Sequence, residues 1–199
     1  MEPRASSSLH ILEESFFRGD LMKIFIACSS RNHYEEITKD IAFLLAQRGH
    51  DLVFGASSTG MMGKTLEAFS KQNRKITSVT VDRYVEDLKN IPSTKEVICE
   101  TTFERLKTLY QEADVILVLP GGSGTVSELF SILEEVRTIE QKNKLWIYDV
   151  PYQNESYYDF FEALLNRFIK DDYNDESIKD YYKIIHSKEE LLERIGEIE

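Results

Sequence analysis

Cysteine and histidine are scarce in this 199-residue chain, and neither has the spacing of a metal site. The two cysteines, Cys28 and Cys99, lie far apart, and the four histidines are scattered. A disulfide scaffold and a structural zinc site are therefore not expected. We predict a cytoplasmic protein, from a reducing compartment, that holds no metal.

Long apolar runs and an excess of basic residues are also missing. No segment approaches the roughly 18 consecutive apolar residues of a membrane span. Lys and Arg number 24 against 35 Asp and Glu, which gives a net charge of -11. Because nucleic acids are bound by dense basic surfaces, we predict neither nucleic acid nor membrane as a partner. A small anionic ligand stays compatible, since one helix N-terminus can bind a phosphate whatever the net charge.

The composition is that of a globular protein. The chain is 42% hydrophobic and 30% charged, and it is long enough for one domain with a buried core. Residues 1–21 carry charges throughout and contain no apolar stretch typical of a signal peptide. We expect residues 1–21 to be a poorly ordered extension or a cloning remnant, and residues 22–199 to form a single domain.

Short apolar runs alternate along the chain with segments of helical periodicity. The run at residues 115–119 is typical of a strand buried on both faces of a parallel sheet. The alternation predicts an α/β fold, a three-layer, doubly wound parallel sheet of the Rossmann-like kind. The predicted strands are 23–28, 51–54, 75–81, 115–119, 145–148 and 182–185; the predicted helices are 34–48, 61–72, 101–112, 125–140, 157–170 and one from 188. Residues 82–98 are expected to form an irregular loop over one edge of the site.

Ligands of doubly wound sheets bind beyond the carboxyl ends of the strands, where the strand order reverses. Three loops follow predicted strands, at residues 29–32, 55–63 and 120–125. The third contains Gly121, Gly122 and Gly124, which let the backbone approach a ligand and direct successive N–H groups at one point. A helix starting near Thr125 would add the positive end of its dipole. Physical grounds alone therefore predict a phosphate site in this loop.

Glu128 has two interpretations from spacing alone. Thr125-x-x-Glu128 fits a capping box, in which Thr caps the helix and Glu reaches back to the cap N–H. The glycines beyond those that a cap needs favour a functional loop instead, with Glu128 ionised in the first helical turn. Two nucleotide fingerprints are excluded: a P-loop ending at residues 63–65 would need Gly where Ser58 stands, and residues 122–127 lack the third glycine of a dinucleotide motif.

The segment PGGSGTVSE at residues 120–128 resembles the PGGxGTxxE signature of the LOG family, the cytokinin riboside 5′-monophosphate phosphoribohydrolases once called lysine decarboxylases. Residues 24–30 resemble the opening strand of that family and residues 54–63 its YGGGxxGLMG loop. Residues 102–105 fall where the family has MxxRK. The likeness extends from Met22 to about residue 170.

This resemblance implies hydrolysis of the N-glycosidic bond of a purine nucleoside 5′-monophosphate, including N6-modified adenine nucleotides, to free base and ribose 5-phosphate. It also implies that no cofactor is needed and that the protein is a homodimer. The catalytic pair falls on Arg105 and Glu128. Such residues suit the chemistry, because breaking the bond builds positive charge on the ribose that a carboxylate stabilises. The expected substrate- and phosphate-binding residues are Ser29, Ser30, Gly55, Gly60, Gly121, Gly122, Ser123, Gly124 and Thr125.

The chain departs from the family pattern at several positions. Leu106 replaces a Lys, Ala56 and Ser57 replace two glycines, and Arg137 stands where many members carry Gln near the base. These changes favour an alternative, a nucleotide-sensing protein with the same fold and a slow or inactive site. A nucleoside deoxyribosyltransferase is a third candidate. Amino-acid decarboxylation is not expected, because no pyridoxal-binding constellation is recognisable.

Overall fold

The computed structural model describes residues 21–198 of the chain. All but the last residue of the extension predicted at residues 1–21 lies outside the described residues. The strands are β1 Lys23–Ala27, β2 Asp51–Phe54, β3 Ile76–Val81, β4 Lys95–Cys99, β5 Val115–Val118, β6 Leu145–Tyr148, β7 Pro151–Tyr152, β8 Glu155–Ser156 and β9 Tyr182–Ile185. The α-helices are α1 Glu35–Gln47, α2 Gly60–Lys71, α3 Thr102–Glu112, α4 Ser123–Thr138, α5 Asp159–Lys170 and α6 Lys188–Ile198, with 3₁₀ helices at Asp82–Asn90 and Glu176–Tyr181.

Seven of these strands form one parallel sheet in the order β4-β3-β2-β1-β5-β6-β9, and β7 and β8 form a separate hairpin. The chain moves outward from β1 to β4 and then returns to the other side of β1 with β5. The strand order therefore reverses between β1 and β5, which opens a crevice beyond their carboxyl ends. The predicted α/β fold is confirmed, and the position of this crevice selects the loops after β1 and β5.

Two apolar layers enclose the sheet. All four residues of β5 are buried, as are all four of β6, because helices cover both faces. On one face α1, α2 and α6 contribute Ile41, Phe69 and Leu191; on the other, α3, α4 and α5 contribute Leu109, Leu129 and Phe161. The sheet is thereby a rigid platform from which the loops at its carboxyl edge are positioned.

Strand β4, the β7–β8 hairpin and the two 3₁₀ helices were not predicted. The segment 82–98, expected to be an irregular loop, contains a 3₁₀ helix and most of strand β4. This strand lies at the edge of the sheet and pairs only with β3 among the described strands. Its residues Lys95, Glu96 and Ile98 are exposed, and only Cys99 is fully buried. Its polar residues hide the apolar run by which a central strand is recognised. The short β7–β8 hairpin lies outside both apolar clusters and carries no such run either.

The loops after β1 and β2 are held together by backbone contacts at the start of α2. The N–H of Met62 donates to the carbonyl of Ser29, and Thr59 Oγ1 donates to the carbonyl of Ser30 at 3.1 Å each. Gly60 has a φ of +57°, and a Cβ added there would lie 2.4 Å from the backbone of Ser30. Only glycine therefore fits between these loops without strain.

We expect Gly60→Ala to destabilise the protein by about 1–3 kcal/mol, because the methyl group meets backbone and the backbone is left-handed. Gly196→Ala is the matched control, since a Cβ at this position in α6 meets nothing within 4 Å and should leave stability equal or slightly higher. Urea denaturation of the two variants measures both effects. Equal stability of the two variants would contradict this account of the loop contact.

Candidate active site

The phosphate loop leads directly into helix α4. Gly122 is the N-cap residue, no side chain caps the helix, and the helix begins at Ser123. The first intrahelical bond described here joins the Val126 N–H to the Gly122 carbonyl, so the amides before Val126 are available to an anion. A Cβ added at Gly122 or Gly124 would meet nothing within 4 Å, which leaves open space for a ligand.

The capping-box interpretation of Glu128 is wrong. Because α4 begins at Ser123, Thr125 is the third residue of the helix and not its cap, and its side chain is buried against Gly121. Glu128 lies in the second turn and pairs with Arg105, at 3.3 Å between Arg105 Nη1 and Glu128 Oε1. Its carboxyl group is therefore held by another element and not by its own helix start.

Arg105 is fixed by three hydrogen bonds to three different parts of the fold. Its Nε donates to the carbonyl of Val79 at 3.1 Å, its Nη2 donates to the carbonyl of Gly55 at 3.3 Å, and its Nη1 donates to Glu128. A Cβ at Gly55 would lie 1.9 Å from Nη2 of Arg105, so a larger residue there would displace the guanidinium from this position. Arg105 is therefore held within the fold, and only 21% of its side chain is exposed.

Burial raises the pKa of Glu128 above its usual 4.5, and this desolvation outweighs the opposing charge and hydrogen bond of Arg105. Glu128 lies beyond the first turn of α4, where the helix dipole that was expected to favour its ionised form has faded. Burial also raises the pKa of the Cys28 thiol to about 12. Cys28 is thus a small buried residue and not a ready nucleophile.

A cleft of about 280 Å³ brings together the loops after β1 and β5. Of the predicted residues, its walls contain Ser29, Ser30, Gly55, Arg105, Gly122, Ser123, Gly124, Thr125 and Glu128. Gly121 faces a neighbouring cavity, and Gly60 joins the loops from behind. Arg31, in the loop after β1, and Met62, in the first turn of α2, also line the cleft and were not predicted, because a single side chain gives no periodic signal.

The departures from the family pattern lie mostly outside this cleft. Leu106 packs partly buried on the far side of α3, and Arg137 pairs with Glu134 on the surface. Ala56 is buried with a φ of +57°, and it lines an adjoining cleft together with Ser57. Neither Leu106 nor Arg137 lines the cleft, whereas Ala56 and Ser57 of the second loop line the adjoining one.

A sequence model of the protein family described as "Possible lysine decarboxylase" matches residues 53–195, more than half of the chain. The chain belongs to this family. Curated relatives of this LOG family include the probable cytokinin riboside 5′-monophosphate phosphoribohydrolase LOG4 of Oryza sativa subsp. japonica, 23% identical over 185 residues, covering 90% of this chain and 79% of the relative. The phosphoribohydrolase LOG2 of Arabidopsis thaliana is 30% identical over 125 residues, 61% of this chain and 59% of the relative.

Among solved structures, the molybdenum cofactor binding protein of Rippkaea orientalis is similar in fold, with a TM-score of 0.62 at 16% identity over 91% of this chain and 98% of that one. The predictions of a LOG-family member and of an enzyme are confirmed by the family match and its curated relatives. Within residues 21–198, no three His, Cys, Asp or Glu side chains gather as metal ligands would. None of the helices in that range has the length and hydropathy that a membrane span requires.

The raised pKa of Glu128 predicts a pH-dependent cost in stability. The folded state binds the proton of Glu128 more tightly than an unfolded chain does. Protonated Glu128 therefore stabilises the fold fully below about pH 4.5, and this stabilisation is lost as pH rises through the raised pKa. Glu128→Gln removes the titration. We therefore expect the free energy of unfolding of the variant, relative to that of the wild type, to increase as pH rises from roughly 4 to 7.

Glu134→Gln is the control for this measurement by urea denaturation. Glu134 is also on α4, but a hydrogen bond from Arg137 lowers its pKa. The free energy of unfolding of Glu134→Gln, relative to that of the wild type, should therefore decrease as pH rises. The account fails if the Glu128→Gln difference stays constant or decreases with rising pH.

Proposed function

We propose that this chain hydrolyses the N-glycosidic bond of a purine nucleoside 5′-monophosphate, with Arg105 and Glu128 as the catalytic pair. The observation that carries the proposal is the carboxyl group of Glu128, held by Arg105 in the wall of a cleft that also contains the start of α4, a phosphate-type helix start. The names of the curated relatives support the reaction type. In one cleft, the carboxylate suits the ribose of a nucleotide and the anion site suits its phosphate.

The proposed reaction is a displacement by water at C1′ of the ribose. The C1′–N9 bond breaks and its electron pair leaves with the base, while a water oxygen bonds to C1′. Glu128 accepts a proton from this water and stabilises the positive charge on the ribose, and the departing base takes up a proton. The products are free base and ribose 5-phosphate, and the amides of residues 123–125 bind the phosphate throughout.

Arg105 serves this reaction by position and charge. Its Nε and Nη2 donate to the carbonyls of Val79 and Gly55, which holds the guanidinium so that Nη1 donates to Glu128. A permanently charged partner favours the carboxylate form that the reaction requires, against the desolvation that raises the pKa. Leu106 does not touch this arrangement, so the missing family Lys does not remove a group from the cleft.

Two other activities remain outcomes of the test. A nucleotide-sensing protein would bind AMP without releasing base, and the positive φ of Ala56 in the second loop is the observation that favours it. A deoxyribosyltransferase would exchange bases between nucleosides without a 5′-phosphate. Neither uses the helix start and the Arg105–Glu128 pair as fully as hydrolysis of a nucleoside monophosphate does.

We also propose that the protein is a cytoplasmic homodimer whose single domain spans residues 22–199. Phe103 is 84% exposed and lies in a groove between α3 and α4 together with Leu106 and Tyr110, which supports a subunit contact there. Size-exclusion chromatography with light scattering should give twice the chain mass of 23.1 kDa. Phe103→Glu should give a monomer; a monomeric wild type would contradict the proposal.

We expect Glu128→Gln to lower the rate of base release from AMP by about 10²- to 10⁴-fold, because it removes the proton acceptor and the negative charge. Chromatography of products from a panel of nucleoside monophosphates, N6-alkylated AMP included, is the measurement. Glu134→Gln is the matched control on the same helix and should keep full activity. If AMP binds and no nucleotide in the panel yields free base, hydrolysis is excluded and the sensing function takes its place.

A further inference from the structure

A second cavity of about 490 Å³ opens on the other side of the phosphate loop. Three tyrosines line it, Tyr34 from the start of α1, Tyr152 from the β7–β8 hairpin, and Tyr157 from the segment before α5. We call it the aromatic pocket. It shares Ser29, Arg31 and Gly122 with the catalytic cleft, so the two cavities meet beside the phosphate-binding amides.

Tyr157 ties the aromatic pocket to the phosphate loop. Its hydroxyl donates to the carbonyl of Gly121 at 2.7 Å. Its ring makes edge contacts with the rings of Tyr34 and Tyr152, with centroids 5.8 and 5.9 Å away. The Tyr157 ring is thus fixed by three partners, while Tyr152 is 48% exposed and Tyr34 half-buried, so both keep ring surface for a ligand.

The backbone at Tyr34 is strained. Its φ is +27° and its ψ is +34°, a left-handed conformation that glycine adopts freely and a bulky aromatic residue rarely does. No side-chain hydrogen bond caps α1 at this position. Strain of this kind concentrates at ligand sites, because stability alone would select glycine. We infer that position 34 carries tyrosine for its ring, which contacts Tyr157 and lines the aromatic pocket.

The lining of the aromatic pocket also defines the chemistry of its ligand. No carboxylate is among the described residues that line it, and its ionisable groups other than tyrosine are Arg31 and His33. Met61 and Pro120 add apolar surface. Such walls suit a planar aromatic group attached to an anion, since the ring faces stack and the guanidinium of Arg31 carries a positive charge.

We propose that the aromatic pocket binds the purine base of the nucleotide, with Tyr152 and Tyr34 as stacking residues that set specificity for the base. This inference rests on the proposed function for the identity of the ligand. The ribose then lies across Ser29 and Gly122, where the two cavities meet, and its phosphate stays with the amides of α4.

The test is equilibrium binding of AMP and of ribose 5-phosphate by calorimetry, in the Glu128→Gln background so that AMP stays intact. Tyr152→Ala should weaken AMP binding roughly 5- to 150-fold, the fold-change that corresponds to stacking of about 1–3 kcal/mol per base. Binding of ribose 5-phosphate should change less than about twofold, because this ligand has no base. Tyr152→Phe should restore AMP binding, since it keeps the ring.

Tyr84 and Tyr173 supply the controls. Tyr84 is 50% exposed and lines the cleft on the other side of Arg105, the rival place for a base, and Tyr173 is 78% exposed in a different cavity. A loss of AMP binding in Tyr84→Ala but not in Tyr152→Ala would overturn the proposal. So would an equal loss for both ligands in Tyr152→Ala. Tyr173→Ala should match the parent.

The two proposals fail in different ways. If Tyr152→Ala selectively weakens AMP binding but the chain with Glu128 intact releases no base, the hydrolase is wrong and the aromatic base site stands. If base is released and Tyr152→Ala changes neither AMP binding nor KM, the hydrolase stands and the aromatic base site is wrong.

Discussion

The site depends on one interaction, the hydrogen bond from Arg105 to Glu128. Arg105 extends to it from α3 while the carbonyls of Val79 and Gly55 hold its Nε and Nη2, and a Cβ at Gly55 would displace Nη2 from this position. The pair thereby links β3, the loop after β2, and α4 at the carboxyl edge of the sheet. A change in any of these elements is transmitted to the carboxyl group that the proposed chemistry uses.

The same edge carries both backbone strain and a desolvated carboxyl group. Glu128 is buried enough that its pKa rises in spite of a cation beside it. Ala56 and Tyr34 adopt left-handed backbone conformations beside the cleft. Unfavourable features of this kind are expected where a rigid sheet over-determines the position of a functional loop. The buried platform of β1, β5 and β6 supplies that rigidity.

Periodicity was enough to predict the central strands and the helices, because burial on both faces produces apolar runs and one-sided burial produces helical spacing. It failed for β4, which pairs through its backbone with β3 and has three of its five side chains exposed. The phosphate loop followed from glycine and topology, whereas the pairing of Arg105 with Glu128 depended on a family resemblance, since these residues are joined only by the fold. The aromatic pocket gave no signal, because Tyr34, Tyr152 and Tyr157 come from three separate segments.

The central claim is that Glu128, as a carboxylate held by Arg105, acts in cleavage of the glycosidic bond. Its most direct test follows the ¹³C shift of the Glu128 carboxyl across pH, alongside kcat/KM for base release from AMP. The account predicts that the carboxyl titrates above its ordinary pKa of 4.5 and that kcat/KM falls on acidification with the same midpoint. A carboxyl that titrates at or below 4.5, or a rate that does not fall as Glu128 is protonated, would contradict it.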